Sequence, residues 1–182
     1  MASPARLTDP RLRTRLADGS LAGLWTLDPS RSTAALRSRS IWGLVPVKGS
    51  FGQLSGEGTV SETGEVSGEI RVSSASIDTK VKKRDTHLRS ADFFDSDNHP
   101  HIIFKAQRLT LTGEGATVTG TLQVRDRTLP LTFPVAISLA GDEAVQFDAE
   151  VGIDRSDFGL TWSQMGTSMK NTLTIRAVFT QH

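Results

Sequence analysis

The chain has 182 residues, enough for one domain with a core of its own. Its 21 basic and 20 acidic side chains leave a net charge of +1, so no global field points to nucleic acid or to an acidic surface. Cysteine is absent, which excludes a disulfide framework and thiol chemistry, and the many serines, threonines and glycines suit strands and tight turns.

At the N-terminus Arg6, Arg11, Arg13 and Arg15 are not followed by the roughly 7–15 apolar residues of a secretory signal. No segment approaches the ~20 apolar residues of a membrane span, and a cytoplasmic location is expected. The same stretch carries helix punctuation: Asp9 as a cap, Pro10 at the first helical position, Leu12 and Leu16 on one face, and Gly19 at the end. Residues 1–22 are thus expected as an N-terminal extension, partly helical or disordered. Contact of this basic helix with a membrane surface is a lesser reading than packing on the domain.

From Gly23 the period is two. Val66, Gly68, Ile70 and Val72 form one run, and Val118, Gly120, Leu122 and Val124 form another. Leu129, Leu131, Phe133, Val135, Ile137 and Leu139 alternate with polar or small residues, as do Val145 to Ile153 and Leu173 to Phe179. One apolar and one wet face per run is the pattern of antiparallel sheet. Turn residues fall at 62–64, 113–115, 125–127 and 141–143. About eight strands at hairpin spacing is the number that closes a barrel able to hold one ligand. Pro130 and Pro134 predict an edge, bulge or bend in their strand.

The run is interrupted over 78–95, which reads as helical, with Asp78 or Thr79 as cap and Val81, Leu88 and Ala91 near one face. Lys80, Lys82, Lys83, Arg84 and Arg89 make it basic, and Phe93 and Phe94 follow at its end, either plugging the core or lining an entrance. Asp95, Asp97, His99 and His101 sit at alternate positions, a spacing open to a metal, but Asn98 and Pro100 predict a turn that scatters them, so no metal is expected. His87 is either a structural group, an acid–base residue or a head-group partner. No nucleophile elbow or phosphate loop is present, and Gly52 to Gly58 reads as a hairpin connection. The bases cluster on the helix rather than interleaving with aromatics, which disfavours nucleic acid.

Several blocks together resemble the YceI-like family of lipocalin-type barrels. Trp25-Thr-Leu-Asp-Pro-Ser-Arg-Ser32 is similar to its opening strand, and Val47 to Phe51 followed by Gly56 to its second motif. The most specific match is Ser76-Ile-Asp-Thr79 with Arg84-Asp-Thr-His-Leu88 and Asp92-Phe-Phe-Asp95. Pro100 to Phe104, Gly120-Thr-Leu122 and Ile153 to Gly159 complete the order. At the end of an alternating strand, Asp154 and Arg155 are expected to tie the strand end to the 78–95 insert by a charge-assisted bond, with a head-group contact as the rival reading. The chain differs at Leu36 to Trp42, where many relatives carry a phenylalanine and a histidine.

The resemblance implies binding of polyisoprenoids or related amphipathic lipids. The expected fold is all-β, an elongated eight-stranded antiparallel lipocalin-like barrel over 23–182, with a helical insert near 79–95. The expected function is storage or transport of a long-chain lipid in the bore, with no catalysis and no cofactor. A ligand-free structural or stress-response protein is one alternative; a small lipid-modifying enzyme using His87 with Asp85 or Asp92 is another. Arg84 and His87 are the expected head-group contacts, and Trp42, Phe51, Phe93, Phe94, Phe104, Phe158, Trp162 and Met165 the expected lining. Partners other than lipid are limited to transient membrane contact and a homodimer.

Overall fold

The computed structural model describes residues 9–40, 42–113, 115–164 and 166–182. Its strands are β1 (Gly23–Leu27), β2 (Thr33–Ser40), β3 (Val45–Phe51), β4 (Leu54–Val60), β5 (Val66–Ser73) and β6 (Ile77–Asp78), then β7 (His101–Leu111), β8 (Ala116–Val124), β9 (Arg127–Leu139), β10 (Ala144–Asp154) and β11 (Lys170–Gln181). Two helices, α1 (Pro10–Ala17) and α2 (Lys82–Arg89), complete it with short 3-10 turns at Ser74–Ser76 and Arg155–Phe158.

The eleven strands form one antiparallel sheet that closes where β1 meets β11. Six of them are halves of three longer strands. β1 and β2 both lie along β11, β1 at Phe179–Gln181 and β2 at Thr172–Arg176. β3 and β4 run back beside them, and β5 and β6 lie beyond. Counted this way the barrel has the eight strands that the turn spacing predicts. Gly52 to Gly58, expected as a hairpin connection, instead enters β4, because only Gly52 and Gln53 are needed to bridge β3 and β4.

The break between β1 and β2 is stitched to β11. Asp28 donates its N–H to the Val178 carbonyl at 2.8 Å, and Val178 donates its N–H to Ser32 Oγ at 3.0 Å, which itself donates to the Asp28 carbonyl at 2.7 Å. The Asp-Pro-Ser-Arg-Ser block is thus a bend whose buried polar groups are paired, as burial demands.

The period-two pattern sets the interior. Phe133, Val135 and Ile137 of β9, Val145, Phe147 and Val151 of β10, and Ile175 and Phe179 of β11 all face inward, as alternation requires. The aromatics meet in pairs, Phe104 with Phe133 at 5.3 Å and Phe147 with Phe179 at 5.8 Å between centroids. Gly120, opposite Ala106 on β7, leaves room for the Phe104 ring. A Cβ there would lie 2.1 Å from the Lys105 carbonyl oxygen and 2.9 Å from Phe104 Cζ.

β9 keeps its ladder to β8 through both prolines, with Thr121 opposite Pro130 and Thr117 opposite Pro134. It pairs with β10 only over Ala136–Leu139, so the seam between β9 and β10 is unzipped beyond that point. The prolines fall in the stretch that has one partner, where a missing N–H is tolerated.

α1 is built as the sequence predicts. Asp9 caps it by accepting the Arg11 N–H at 3.0 Å, and Gly19 takes the left-handed conformation after it at φ +76°. The helix lies against the barrel: Asp9 donates its N–H to the Ile137 carbonyl at 3.1 Å, Arg15 reaches the Asp142 carbonyl at 2.8 Å, and Leu12 is buried. α2 is shorter than the expected helix over 78–95. Asp78 lies in β6 and bonds to Lys80, so it cannot cap; Val81 stands at the cap position and is exposed, and Ala91 is outside the helix. The start of α2 is held instead by buried Asp85, which accepts the Thr79 N–H at 2.9 Å and hydroxyl at 2.5 Å.

Replacing Gly120 by alanine is expected to cost at least about 2 kcal/mol, since backbone rather than a flexible side chain blocks the new methyl. A urea midpoint that falls at constant slope is the expected readout, and an unmoved midpoint would refute the close approach.

Candidate functional site: an apolar bore

The inward faces enclose a cavity of about 240 Å³. Along β10 alone its wall runs from Val145 to Ile153, a path of roughly 27 Å at the rise of an antiparallel strand. The two ends differ. Near the start of β10 the wall is completed by Leu12 and Leu16 of α1 and by Leu21. Near the end of β10 it is completed by Phe93, Phe94, Phe158 and Leu160.

Of the residues expected to line the bore, Phe51, Phe93, Phe94, Phe104 and Phe158 stand on its wall. Phe94 packs edge-on against Phe93 at 4.9 Å and against Phe51 at 6.0 Å, and both insert rings are buried. Arg125 anchors the segment that carries them, donating to the Phe93 carbonyl at 3.3 Å. Phe93 and Phe94 therefore plug the barrel end and line the cavity at once.

Four expectations are corrected. Trp42 is 81% exposed, because it follows the end of β2 with φ +49° and projects beyond the barrel. Trp162 is also exposed, in the connection before β11. Arg84 is not on the wall: its Nε donates to Thr79 Oγ1 at 2.8 Å and its Nη2 to the Thr79 carbonyl at 3.0 Å, which turns it back onto the start of its own helix. His87 faces Trp162 at 4.2 Å between centroids, outside the bore, and its Nε2 is buried without a hydrogen-bond partner among the described residues. Met165 lies outside the described residues. The acidic and histidine run also separates: Asp95 takes the Asn98 amide and lies 3.8 Å from His99, while His101 is exposed on β7. Among the described residues no three such groups converge.

Polar residues also stand around the cavity, Glu57, Thr59, Ser67, Glu69, Arg155 and Asn171; the sequence offers a head-group contact for Arg155 only as the rival reading, and Asn171 carries no expectation. The favoured expectation has Asp154 and Arg155 together bonding the strand end to the insert. The structure separates the two. Asp154 accepts the Ser156 hydroxyl at 2.5 Å and N–H at 3.0 Å, closing its own turn. These bonds, the hydroxyl first, hold its carboxyl below the ordinary aspartate value. Arg155 is 4% exposed, and its guanidinium carbon lies 5.4 Å from the centre of the Phe93 ring. The link to the insert is thus a cation over an aromatic face. Burial pushes the guanidinium below its ordinary value, opposed by Asp154.

The YceI-like domain family matches residues 25–180. A UPF0312 protein of Pectobacterium carotovorum subsp. carotovorum is 30% identical over 137 residues, 71% of each chain. Among solved structures, BcnA of Burkholderia cenocepacia superposes with a TM-score of 0.76 at 21% identity, covering 84% of this chain and 98% of its own. A polyisoprenoid binding domain from Saccharophagus degradans, implicated in plant cell wall breakdown, gives 0.71 at 14% identity over 87% and 98%. At these identities the two structures speak for the fold alone.

The Asp154 turn gives a signed pH dependence. A carboxyl held below its ordinary value contributes stability above the unfolded pKa and loses it as pH falls through the folded one. Asp154→Asn keeps an acceptor but removes the charge. The gap in melting temperature between the natural protein and this variant is expected to be constant above about pH 5 and to shrink below about pH 4. A gap that does not change with pH would show that the carboxylate charge is not engaged.

Proposed function

Since the chain belongs to the YceI-like family, we propose that it is a carrier that binds a long-chain amphipathic lipid, a polyisoprenoid or fatty-acid derivative, along the bore without chemical change. The observation that carries this reading is the cavity itself. It is slender, about 240 Å³ along a path of roughly 27 Å, and most of the side chains around it are aliphatic or aromatic. That shape suits one extended chain rather than a compact ligand. Each methylene removed from water contributes about 0.8 kcal/mol, so chain length alone gives affinity. A fold shared with a polyisoprenoid binding domain of Saccharophagus degradans supports a prenyl chain as one such ligand.

The absence of chemistry is part of the same proposal. A lipid-modifying use of His87 needs a carboxylate partner, and the candidates are otherwise placed. Asp85 is taken by the Thr79 N–H and hydroxyl, and His87 faces Trp162. Neither His87 nor a carboxylate paired with it stands on the cavity wall.

Extraction of the purified protein followed by mass spectrometry is expected to yield a long-chain lipid in a fixed ratio to protein. In solution, a fluorescent prenyl or polyene probe is expected to brighten on mixing and to be displaced by a prenol. Phe104→Asp puts a carboxylate in the middle of the wall and is expected to abolish the signal, at a cost in stability of a few kcal/mol. Probe binding that survives in folded Phe104→Asp protein would place the lipid elsewhere. Loss of substrate with appearance of product, in place of displacement, would replace the carrier with an enzyme.

A further inference from the structure

The bore holds a cation that the apolar wall does not explain. Ile153 is the last apolar residue in the inward series of β10, and Arg155 is the next position in that series. Its guanidinium is held by two of its three nitrogens. Nε donates to the Ser168 carbonyl at 3.1 Å and Nη1 to the Leu160 carbonyl, while Nη2 is buried and has no partner among the described residues. Phe93 covers it at 5.4 Å, and Phe158 and Leu160 are its neighbours on the wall. Asp154, the carboxylate that acts on it electrostatically, is occupied by Ser156.

Leaving a charged donor unpaired in such surroundings is costly, and a loop clamp alone does not require it. A methionine or leucine would fill the same space without that cost. An arginine whose third nitrogen is free at the end of an apolar channel is arranged for an oxygen that arrives with the ligand. Resting on the carrier reading, we propose that Arg155 is the polar anchor of the bore and that Nη2 donates to the terminal oxygen of a long-chain carboxylate. The head lies at the Phe93 end and the tail extends toward Leu12.

One free nitrogen sets the ligand class. A phosphate or diphosphate carries more charge and more acceptor oxygens than one nitrogen satisfies, whereas a single carboxylate is neutralised by the guanidinium and shares its charge-assisted bond. A ketone or ester carbonyl accepts the same bond without the charge, and a hydrocarbon makes none. The expected order is therefore acid above ester above hydrocarbon at equal chain length.

The test uses the delipidated full-length protein, diphenylhexatriene as a neutral probe, and hexadecanoate and methyl hexadecanoate as competitors. Diphenylhexatriene should bind, and hexadecanoate should displace it at least tenfold more tightly than the ester. In Arg155→Met the probe should still bind and the two competitors should become equal; Arg155→Lys should restore part of the preference. Equal competition in the natural protein, or a preference that survives Arg155→Met, overturns the anchor and leaves the carrier standing. Failure of diphenylhexatriene to bind overturns the carrier reading itself. Because Arg155 also clamps the 160–168 connection, a measurement without substitution accompanies these. The carboxyl resonance of carbon-13-labelled hexadecanoic acid bound to the natural protein should titrate below its value in water, as a carboxylate beside a cation does. A raised midpoint, that of an acid buried without a partner, sinks the proposal whether or not the variants fold.

Discussion

One strand carries the closure on which everything else rests. β11 pairs with β10 along almost its whole length, while its other edge is shared end to end by β1 and β2. A sheet that must meet itself has no freedom to slip, because moving any strand by one residue would turn its apolar face outward. The bond from Val178 N–H to Ser32 Oγ sits at the one point where β11 changes neighbour. With that junction made, every strand has its inward face fixed, and the bore follows from alternation alone.

The cost of this architecture is a core that is not filled. Barrels of this size can be packed solid by their own side chains. Here small residues occupy inward positions, Gly58 and Gly68 among them, and Gly120 is forced by the approach of Phe104 and the Lys105 carbonyl. The space so left is bounded by large residues at the ends, leucines on one side and phenylalanines on the other. The side chains that would complete a core have been moved to its two caps.

Much of this was legible in the residues. Strand alternation gave the inward set of β9, β10 and β11 directly, and the Asp-Pro start of α1 is a local signal that no tertiary contact overrides. The polar end of the bore was harder to read. Arg84 and His87 were favoured because they sit on a basic helix near aromatics, but their partners, the Thr79 oxygens and the Trp162 ring, depend on where the chain turns back. Arg155 did carry a signal: it continues the odd-numbered inward series from Val145 to Ile153 by one step, just as Asn171 extends the series of β11 backward. Giving Asp154 and Arg155 one shared bond to the insert concealed that parity, since neighbours along a strand point to opposite faces. The fragments β1 to β6 resolve into three interrupted strands only through long-range pairing, which spacing along the chain does not encode.

The unzipped seam between β9 and β10 has a consequence for how the protein behaves among its own copies. A barrel is the fold that abolishes free edges, yet here the outer half of β10, residues 149–154, has β11 on one side only, and β9 over 127–135 has β8 on one side only. Two bare edges facing one another are a template for strand addition, the route by which sheet proteins join into aggregates. Pro130 and Pro134 interrupt one of them with positions that offer no N–H, Arg127 bonds across to the Asp157 carbonyl at 3.0 Å, and Gly152 leaves the other without a side chain for an incoming strand to pack on. The slot is thereby kept from becoming a point of polymerisation.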